Sequence, residues 1–212
     1  MRGLIRIGRI ASAALLLAPV AAFAMGMFGS TPPTGMTLTD ASHITNPVIV
    51  QALEINGKSY GHPPYLASSD WENPRGGNRT LTDLATPVQV GSAIVVRADW
   101  VEAYTNRAYS AEVAVPEGKL TVKDQTQPIA YVTVVFGRNG HLAISTDTGP
   151  DATTGQYNGT IVAETCGARR ADGDMDFRTQ PDADVNLEWV YSQEEERANL
   201  PRLETPCAGE AG

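Results

Sequence analysis

Three carboxylates come closest, by type and spacing, to a chemical site: Asp172, Asp174 and Asp176, at alternate positions of one short segment. Oxygen ligands spaced in this way open a calcium loop of the EF-hand type, which also requires a glycine at position six and a bidentate glutamate at position twelve. In this chain those positions hold Phe177 and Ala183. The pattern therefore favours a solvated acidic turn, with cation binding as the open alternative. We expect no metal and no other cofactor.

The chain has three histidines, His43, His62 and His141. Imidazole can serve as a general base or as a metal ligand, so their spacing bears on both kinds of site. None of them stands in a His-x-x-x-His or comparable ligand spacing. The chain also contains no phosphate-binding loop, no dinucleotide fingerprint and no Cys-x-x-Cys. We therefore expect no catalytic residues and a protein that is not an enzyme.

The first 24 residues have the composition of a secretory signal peptide. Arg2, Arg6 and Arg9 form a positive segment, and the uncharged apolar stretch that begins at Ile10 ends at Ala24. Its last three residues, Ala-Phe-Ala, match the small-x-small pattern that signal peptidase accepts. We predict cleavage after Ala24 and a free periplasmic protein with no stable membrane insertion. The alternative is that the apolar stretch remains as an N-terminal anchor.

The chain has two cysteines, Cys166 and Cys207. An even number of cysteines in an exported protein is typical of a disulfide. This bond would close a loop of about 40 residues and stabilise the fold by roughly 3 to 4 kcal/mol in the chain-entropy treatment. It would tie the polar C-terminal segment to the rest of the domain. Two free thiols or a metal pair are the alternatives.

The stretch from Tyr60 to Leu84 is long, irregular and rich in Gly and Pro. Loops of this length inside a compact domain are uncommon and often functional. We predict that it forms a partner-binding surface with Tyr65, Trp71 and Arg75, centred on Trp71, because a loop tryptophan among polar residues is a good candidate for a binding hot spot. The alternative is a structural Ω-loop packed by its own Tyr65 and Trp71.

The net charge excludes some partners. The chain carries 16 basic and 24 acidic residues, a net charge of −8, and removal of the signal peptide would take away three arginines and no acid. Phosphate contacts need clustered Lys and Arg, so we expect no nucleic-acid partner. The negative charge would favour a basic protein partner, although solubility alone also explains it.

The remainder of the chain has the pattern of short strands joined by turns. Residues 25–45 are rich in Gly, Thr, Ser and Pro and are expected to form a flexible arm. A single β domain would then cover residues 46–212. The predicted strands are Pro47–Ile55, Ala93–Val101, Tyr109–Val115, Ile129–Phe136 and His141–Thr146, with weaker candidates at Gly159–Thr165 and Val185–Val190.

Two of these strand pairs predict hairpins, and Trp100 falls on the apolar, core-facing side of the first. Helical propensity is confined to Ser192–Ala198, where Ser192 is the expected N-cap and acids fill the first turn. The fold class that follows is all-β, an antiparallel sandwich or open barrel with one short C-terminal helix. The order of the strands is left open.

Several short motifs resemble those of uncharacterised small exported proteins and lipoproteins of proteobacteria. In order, they are Val48-x-Val50, Leu53–Gly57, Gly91–Val96 with Trp100, Tyr109-x-x-x-Val113-x-Val115-Pro116, and Val132–Phe136 followed by Gly140. The resemblance covers about Pro47 to Asp147. This chain differs in lacking the lipobox cysteine and the cysteines of the Gly-rich loop, and in carrying an additional C-terminal segment with its own cysteine pair.

The resemblance implies a function as well as a compartment. Some members of these families are encoded beside toxic phospholipase effectors of type VI secretion and are taken to be their periplasmic immunity proteins. The leading expectation is therefore a periplasmic, non-enzymatic binding protein that neutralises a toxin effector. The alternative from another class is an envelope structural or accessory domain with no toxin partner, and an enzyme ranks third.

Overall fold

A computed structural model describes residues 35–61, 63–67, 81–82, 93–121, 129–147, 159–179, 187–202 and 204–209. All of the described elements belong to one compact unit, Pro33–Gly212. They form two β-sheets and two short helices, which confirms the all-β fold class with sandwich-like sheets. The predicted signal peptide, residues 1–24, lies outside the described residues.

The first sheet has the strand order β10-β9-β8-β1-β5, and all of its pairs are antiparallel except β1 with β8. Its strands are β1 (Gly35–Ser42), β5 (Leu81–Thr82), β8 (Ile129–Phe136), β9 (His141–Asp147) and β10 (Thr160–Cys166).

The second sheet has the order β11-β7-β6-β2-β3, with β4 also paired to β2. Its strands are β2 (Val48–Ile55), β3 (Lys58–Ser59), β4 (Tyr65–Leu66), β6 (Ile94–Glu102), β7 (Arg107–Val115) and β11 (Ala168–Arg169). The path from β10 to β11 crosses from the first sheet to the second through Gly167.

Strand β1 corrects the expectation of a flexible arm over residues 25–45. Gly35–Ser42 pairs along its whole length with β8, from Gly35 opposite Ile129 to Ser42 opposite Phe136. Leu38 is buried on the core side of this strand. The Gly- and Thr-rich composition concealed this alternation, and a parallel pair with a partner so distant in sequence leaves no local turn signal.

The two predicted hairpins are confirmed. β6 and β7 pair without a register shift from Ile94–Val115 to Glu102–Arg107, and Asn106 takes a positive φ of 59° in the turn. β8 and β9 are joined through Asn139 and Gly140, whose φ angles are 57° and 76°. Asparagine and glycine are the residues that tolerate this left-handed conformation, which is why the turns were legible in the sequence.

The main core lies between the two sheets. Trp100 is completely buried there, as predicted from its strand register. Its ring centroid lies 5.3 Å from that of Phe136 and 5.9 Å from that of Tyr109. These distances are typical of aromatic pairs, so Trp100 links a strand of each sheet through direct ring contact.

A second, smaller core covers part of the outer face of the second sheet. Ile49, Val101 and Ala108 on this face pack with side chains of the C-terminal segment, namely Phe177, Leu187 and Val190. A 3₁₀ helix (Ala171–Gly173) and two short helices, α1 (Glu188–Ser192) and α2 (Glu194–Ala198), belong to this segment. The C-terminal segment is therefore part of the folded domain.

The helices correct two local expectations. Residues 188–190, which were expected to be the end of a weak strand, are helical, because Leu187 and Val190 are both buried in the second core at helical spacing. Ser192 does not cap the following helix. Its hydroxyl donates to the Trp189 carbonyl at 2.8 Å, and Gln193 is the N-cap residue of α2.

The predicted disulfide between Cys166 and Cys207 is present, with the two Cα atoms 5.6 Å apart. The tail around Cys207 is also held to the β8–β9 turn by side-chain hydrogen bonds. Asn139 donates to the Cys207 carbonyl at 3.4 Å, and Thr205 donates to the Arg138 carbonyl at 3.1 Å. The bond therefore fastens the tail to the end of β10.

Candidate functional site

The outer face of the second sheet is open where the small core ends, and a shallow concavity of about 370 Å³ lies there. We call it the sheet groove. One row across four strands supplies its small side chains, Ala52, Ser110 and Ala168, together with Asp99. The next row places three charged residues side by side: Glu54, Arg97 and Glu112.

The charges of the groove are partly paired across the strands. The Arg97 guanidinium donates to the Glu112 carboxylate, and this hydrogen bond, with the nearby charge, raises the pKa of Arg97. Asp99 pairs with Arg170 at 2.9 Å. The Arg97 and Glu112 side chains are 61% and 52% exposed, so these pairs lie in solvent and contribute little to folding. They are available for contacts with another molecule.

A second candidate surface lies on the two C-terminal helices and on Leu200, which follows them. Trp189 is 47% exposed and Leu200 is 38% exposed, and they are two of the three large apolar residues that stand out in this way among the described residues. The exposed residues of the same two helices include Glu188, Glu195 and Glu196, and the exposed Arg202 follows Leu200. We call this set the aromatic helix surface. It combines two exposed apolar side chains with three exposed acids.

The buried Arg197 lies against one face of the Trp189 ring. Its guanidinium carbon lies 4.6 Å from the centre of the Trp189 ring, and the residue is only 2% exposed. The guanidinium also donates to Gln193 Oε1 at 2.9 Å and to the Ile44 carbonyl at 3.3 Å. A cation fixed on one ring face leaves Trp189 ordered before any partner arrives. The pair could not be predicted from the sequence, because residues 185–190 have the pattern of a strand.

Tyr191 of α1 makes a second contact between a cation and an aromatic ring. The Arg178 guanidinium lies 4.4 Å from the centre of the Tyr191 ring and binds Glu194. The Tyr104 hydroxyl donates to the Val190 carbonyl at 3.0 Å. Burial raises the pKa of Tyr191 to about 12. These contacts fix α1 and α2 on the sheet and so position the aromatic helix surface.

The residues predicted to bind a partner are only partly described. Tyr65 lies in β4, is half-buried, packs against the main core and lies close to Gly61. This placement favours a packing role for Tyr65, as the Ω-loop alternative proposed. Trp71 and Arg75 lie outside the described residues, so their role in partner binding remains a prediction.

The acidic segment forms local contacts. Asp174 binds Arg169 through both carboxylate oxygens at 2.5 Å and accepts the Ala108 N–H at 2.9 Å. The hydrogen bond from Arg169 lowers the pKa of Asp174. Asp176 accepts the Arg178 N–H at 3.0 Å. Within the described ranges, no group of three or more His, Cys, Asp or Glu side chains is arranged to hold a metal ion.

Two histidines are described, and both have neutral or acidic partners in the fold. His43 Nδ1 lies 2.7 Å from Thr45 Oγ1, and His141 Nε2 lies 3.1 Å from Glu164 Oε2. His62 is outside the described residues. His43 thus bonds to a residue just beyond the end of β1, and His141 bonds across the β9–β10 pair.

Ser59 belongs to a Gly-x-Ser-x-Gly sequence, residues 57–61, which in α/β-hydrolases carries the nucleophile on a sharp turn from strand to helix. Here the segment continues the β2–β3 hairpin, and Ser59 is an exposed strand residue paired with Glu54. The backbone is thus not the elbow that projects and activates a hydrolase serine.

Among the described residues, no helix has both the length and the apolar character required to cross a membrane. Comparison with protein-family models, with curated proteins and with solved structures gave no match to this chain. Its function is therefore argued from its own residues and surfaces.

Proposed function

We propose that the protein is an exported, non-enzymatic binding protein of the bacterial periplasm, and that it acts as an immunity protein which neutralises a toxic effector. The observation that carries the proposal is the exposed Trp189 ring fixed on the buried Arg197. Binding hot spots are enriched in Trp, Tyr and Arg, and they are strongest where the side chain is ordered before binding.

The surroundings of Trp189 suggest the charge of the partner. Exposed glutamates lie on the same two helices, at 188, 195 and 196, and the whole chain has a net charge of −8. Complementary charge accelerates association and excludes partners of the wrong sign. The aromatic helix surface therefore suits a basic protein, which it would contact through Trp189 and Leu200.

The covalent chemistry supports the compartment. The Cys166–Cys207 bond is compatible with an oxidising environment such as the periplasm. An immunity protein also has to remain folded where proteases are abundant, and a bond that closes a 41-residue separation restricts the unfolded chain. The export signal and the resemblance to exported proteobacterial proteins point in the same direction.

The test begins with the wild-type mature protein, immobilised through its N-terminus and exposed to the secreted fraction of the source organism. A captured protein is identified, purified and directed to the periplasm of a host that lacks the immunity protein. The proposal expects that this protein is toxic there and that co-expression of the present chain restores growth. If nothing is captured, or if the captured protein is harmless in the periplasm, the envelope structural alternative is favoured.

The contact surface is tested in the same experiment with Trp189→Ala. The matched control is Ile161→Ala, which truncates another exposed apolar side chain, 38% exposed, on β10 of the other sheet. The proposal expects that only Trp189→Ala loses the partner. Equal capture by both variants would remove the aromatic helix surface from the proposal.

A further inference from the structure

The sheet groove is an open, charged area on a part of the molecule that the aromatic helix surface does not include. Its row of Glu54, Arg97 and Glu112 crosses three adjacent strands, and its small row contains Ala52, Ser110 and Ala168. Beneath it β6 and β7 pair without a register shift, whereas the pairing of β2 with β6 is irregular between Val50 and Ala52. The groove therefore has a regularly paired base under β6 and β7 and small side chains at its centre.

We propose that the sheet groove binds a basic segment of the protein partner in extended conformation, with Lys or Arg side chains lying over Glu54, Asp99 and Glu112. The inference rests on the proposed binding function and adds the chemical class of a second contact. The proposed occupant is a cationic peptide segment, and the experiment below distinguishes it from other ligands.

Charge complementarity is the first argument. Three carboxylates, of Glu54, Asp99 and Glu112, face two guanidiniums, of Arg97 and Arg170, so the groove has an excess of negative charge. Arg97 is bonded to Glu112, so Glu54, opposite Arg97 in the strand register, shares the charge of that guanidinium and has no ion pair of its own within the described residues. A basic side chain of the partner would give Glu54 a counter-ion that it does not share with Glu112.

Spacing is the second argument. Neighbouring strands lie about 4.8 Å apart, so Glu54 and Glu112, two strands apart, are separated by roughly 10 Å at the backbone. Alternate residues of an extended peptide lie about 6.6 Å apart on the same face, and the flexible stems of Lys and Arg span the difference. The small side chains Ala52, Ser110 and Ala168 leave room for those stems.

The probe is a blocked synthetic peptide, Arg-Gly-Arg-Gly-Arg, with the matched acidic peptide Glu-Gly-Glu-Gly-Glu as its counterpart. Binding to the mature disulfide-bonded protein is followed by NMR, through the backbone amide shifts of β2, β6 and β7. The inference expects saturable shifts at Glu54, Arg97, Asp99 and Glu112 with the basic peptide, weakened by salt. Shifts confined to other residues, or equal binding of the acidic peptide, would overturn it.

Three variants make the test specific. The double variant Glu54→Gln with Glu112→Gln should weaken the basic peptide about fivefold or more, while Arg97→Gln should strengthen it by about twofold or more, since each exposed charge pair is modest. Opposite directions cannot both come from unfolding. The control, Glu117→Gln with Asp172→Asn, removes two exposed charges outside the groove and should leave affinity unchanged. Equal loss in the control would contradict the inference.

The outcome separates this inference from the proposed function. If the peptide binds the groove but no partner is captured from the secreted fraction, the groove stands as a cation-binding surface and the immunity function fails. If a toxic partner is captured and neither the peptide nor the groove variants have any effect, the function stands and the groove inference is wrong.

Discussion

The carboxylate of Glu102 accepts a hydrogen bond from the backbone N–H of Gly140 at 3.2 Å, and this contact joins the end of β6 in one sheet to the β8–β9 turn of the other. The second carboxylate oxygen accepts the Thr105 hydroxyl at 3.0 Å. The Gly140 carbonyl in turn accepts the Gly167 N–H at 2.7 Å. One buried side chain therefore connects the two hairpin turns with the crossing between the sheets.

Replacing Glu102 tests this link. Glu102→Ala should lower the free energy of unfolding by about 1 to 3 kcal/mol, because it leaves the Gly140 N–H and the Thr105 hydroxyl without their acceptor. Urea unfolding at pH 7 measures the loss. If Glu102→Ala lowers the free energy of unfolding by less than the exposed control Glu117→Ala, the bond to Gly140 does not stabilise the fold.

The pH dependence of stability tests whether Glu102 is buried as described. Burial raises the pKa of Glu102 above its ordinary value of 4.5, despite the hydrogen bonds that lower it. As pH rises, this carboxyl ionises first in the unfolded chain. The contribution of Glu102 to the free energy of unfolding is therefore fully present below about pH 4.5 and is lost as pH rises through the folded pKa. Glu102→Gln removes this ionisation, and its stability relative to wild type should rise between pH 4 and 7. A constant difference across that range would contradict the assignment.

The disulfide should account for a measurable share of the stability. Cys166 and Cys207 are 41 residues apart in sequence, and the chain-entropy treatment gives a contribution of about 4 kcal/mol for a loop of that length. Cys166→Ser with Cys207→Ser should lower the free energy of unfolding by up to that amount and make it insensitive to reductant. Wild-type protein whose stability does not change on reduction would refute the claim.

Tyr191 carries a buried hydroxyl with no hydrogen-bond partner among the described residues. Removing an unsatisfied buried polar group relieves its desolvation penalty, so Tyr191→Phe should leave the free energy of unfolding unchanged or raise it by about 1 kcal/mol. Because the folded pKa is about 12, wild type should also lose stability as pH rises above 10, and Tyr191→Phe should lose less. A destabilised Tyr191→Phe at pH 7 would show that the hydroxyl has a partner.

Export is predicted from the first 24 residues alone. The mature protein should begin at Met25 and be found in the soluble periplasmic fraction, because the Ala22-Phe23-Ala24 sequence lies directly after the apolar stretch. N-terminal sequencing and intact mass of the fractionated protein measure this. Protein that retains Met1 in the membrane pellet would instead support the anchor.

The parts of the fold that could be predicted from the sequence are those with local signals. The β6–β7 hairpin could be predicted because buried and outward-facing residues largely alternate along Ile94–Glu102 and Arg107–Val115, and the two runs meet at a turn. The cysteine pair was legible because the chain contains only two, Cys166 and Cys207.

What could not be predicted depends on contacts between distant parts of the chain. β1 is a strand because it pairs with β8, some ninety residues away. The Oγ1 atoms of Thr39 and Thr133 lie 2.7 Å apart as a result. Glu102 is buried and bonds to the β8–β9 turn, which lies far from it in sequence. Trp189 and Arg197 meet only once both α1 and α2 have formed. None of these relationships has a periodicity or a turn residue that marks it.

The most direct test of the central claim is the affinity of the captured partner for Trp189→Ala, measured beside wild type and Trp71→Ala by calorimetry. The account predicts that Trp189→Ala weakens binding by about 2 kcal/mol or more, roughly 30-fold, while its Tm falls by no more than about 2 to 4 °C. Trp71→Ala shows in the same series whether the long loop contributes as well. Wild-type affinity in Trp189→Ala would contradict the account, because the exposed ring on Arg197 would then have no part in binding.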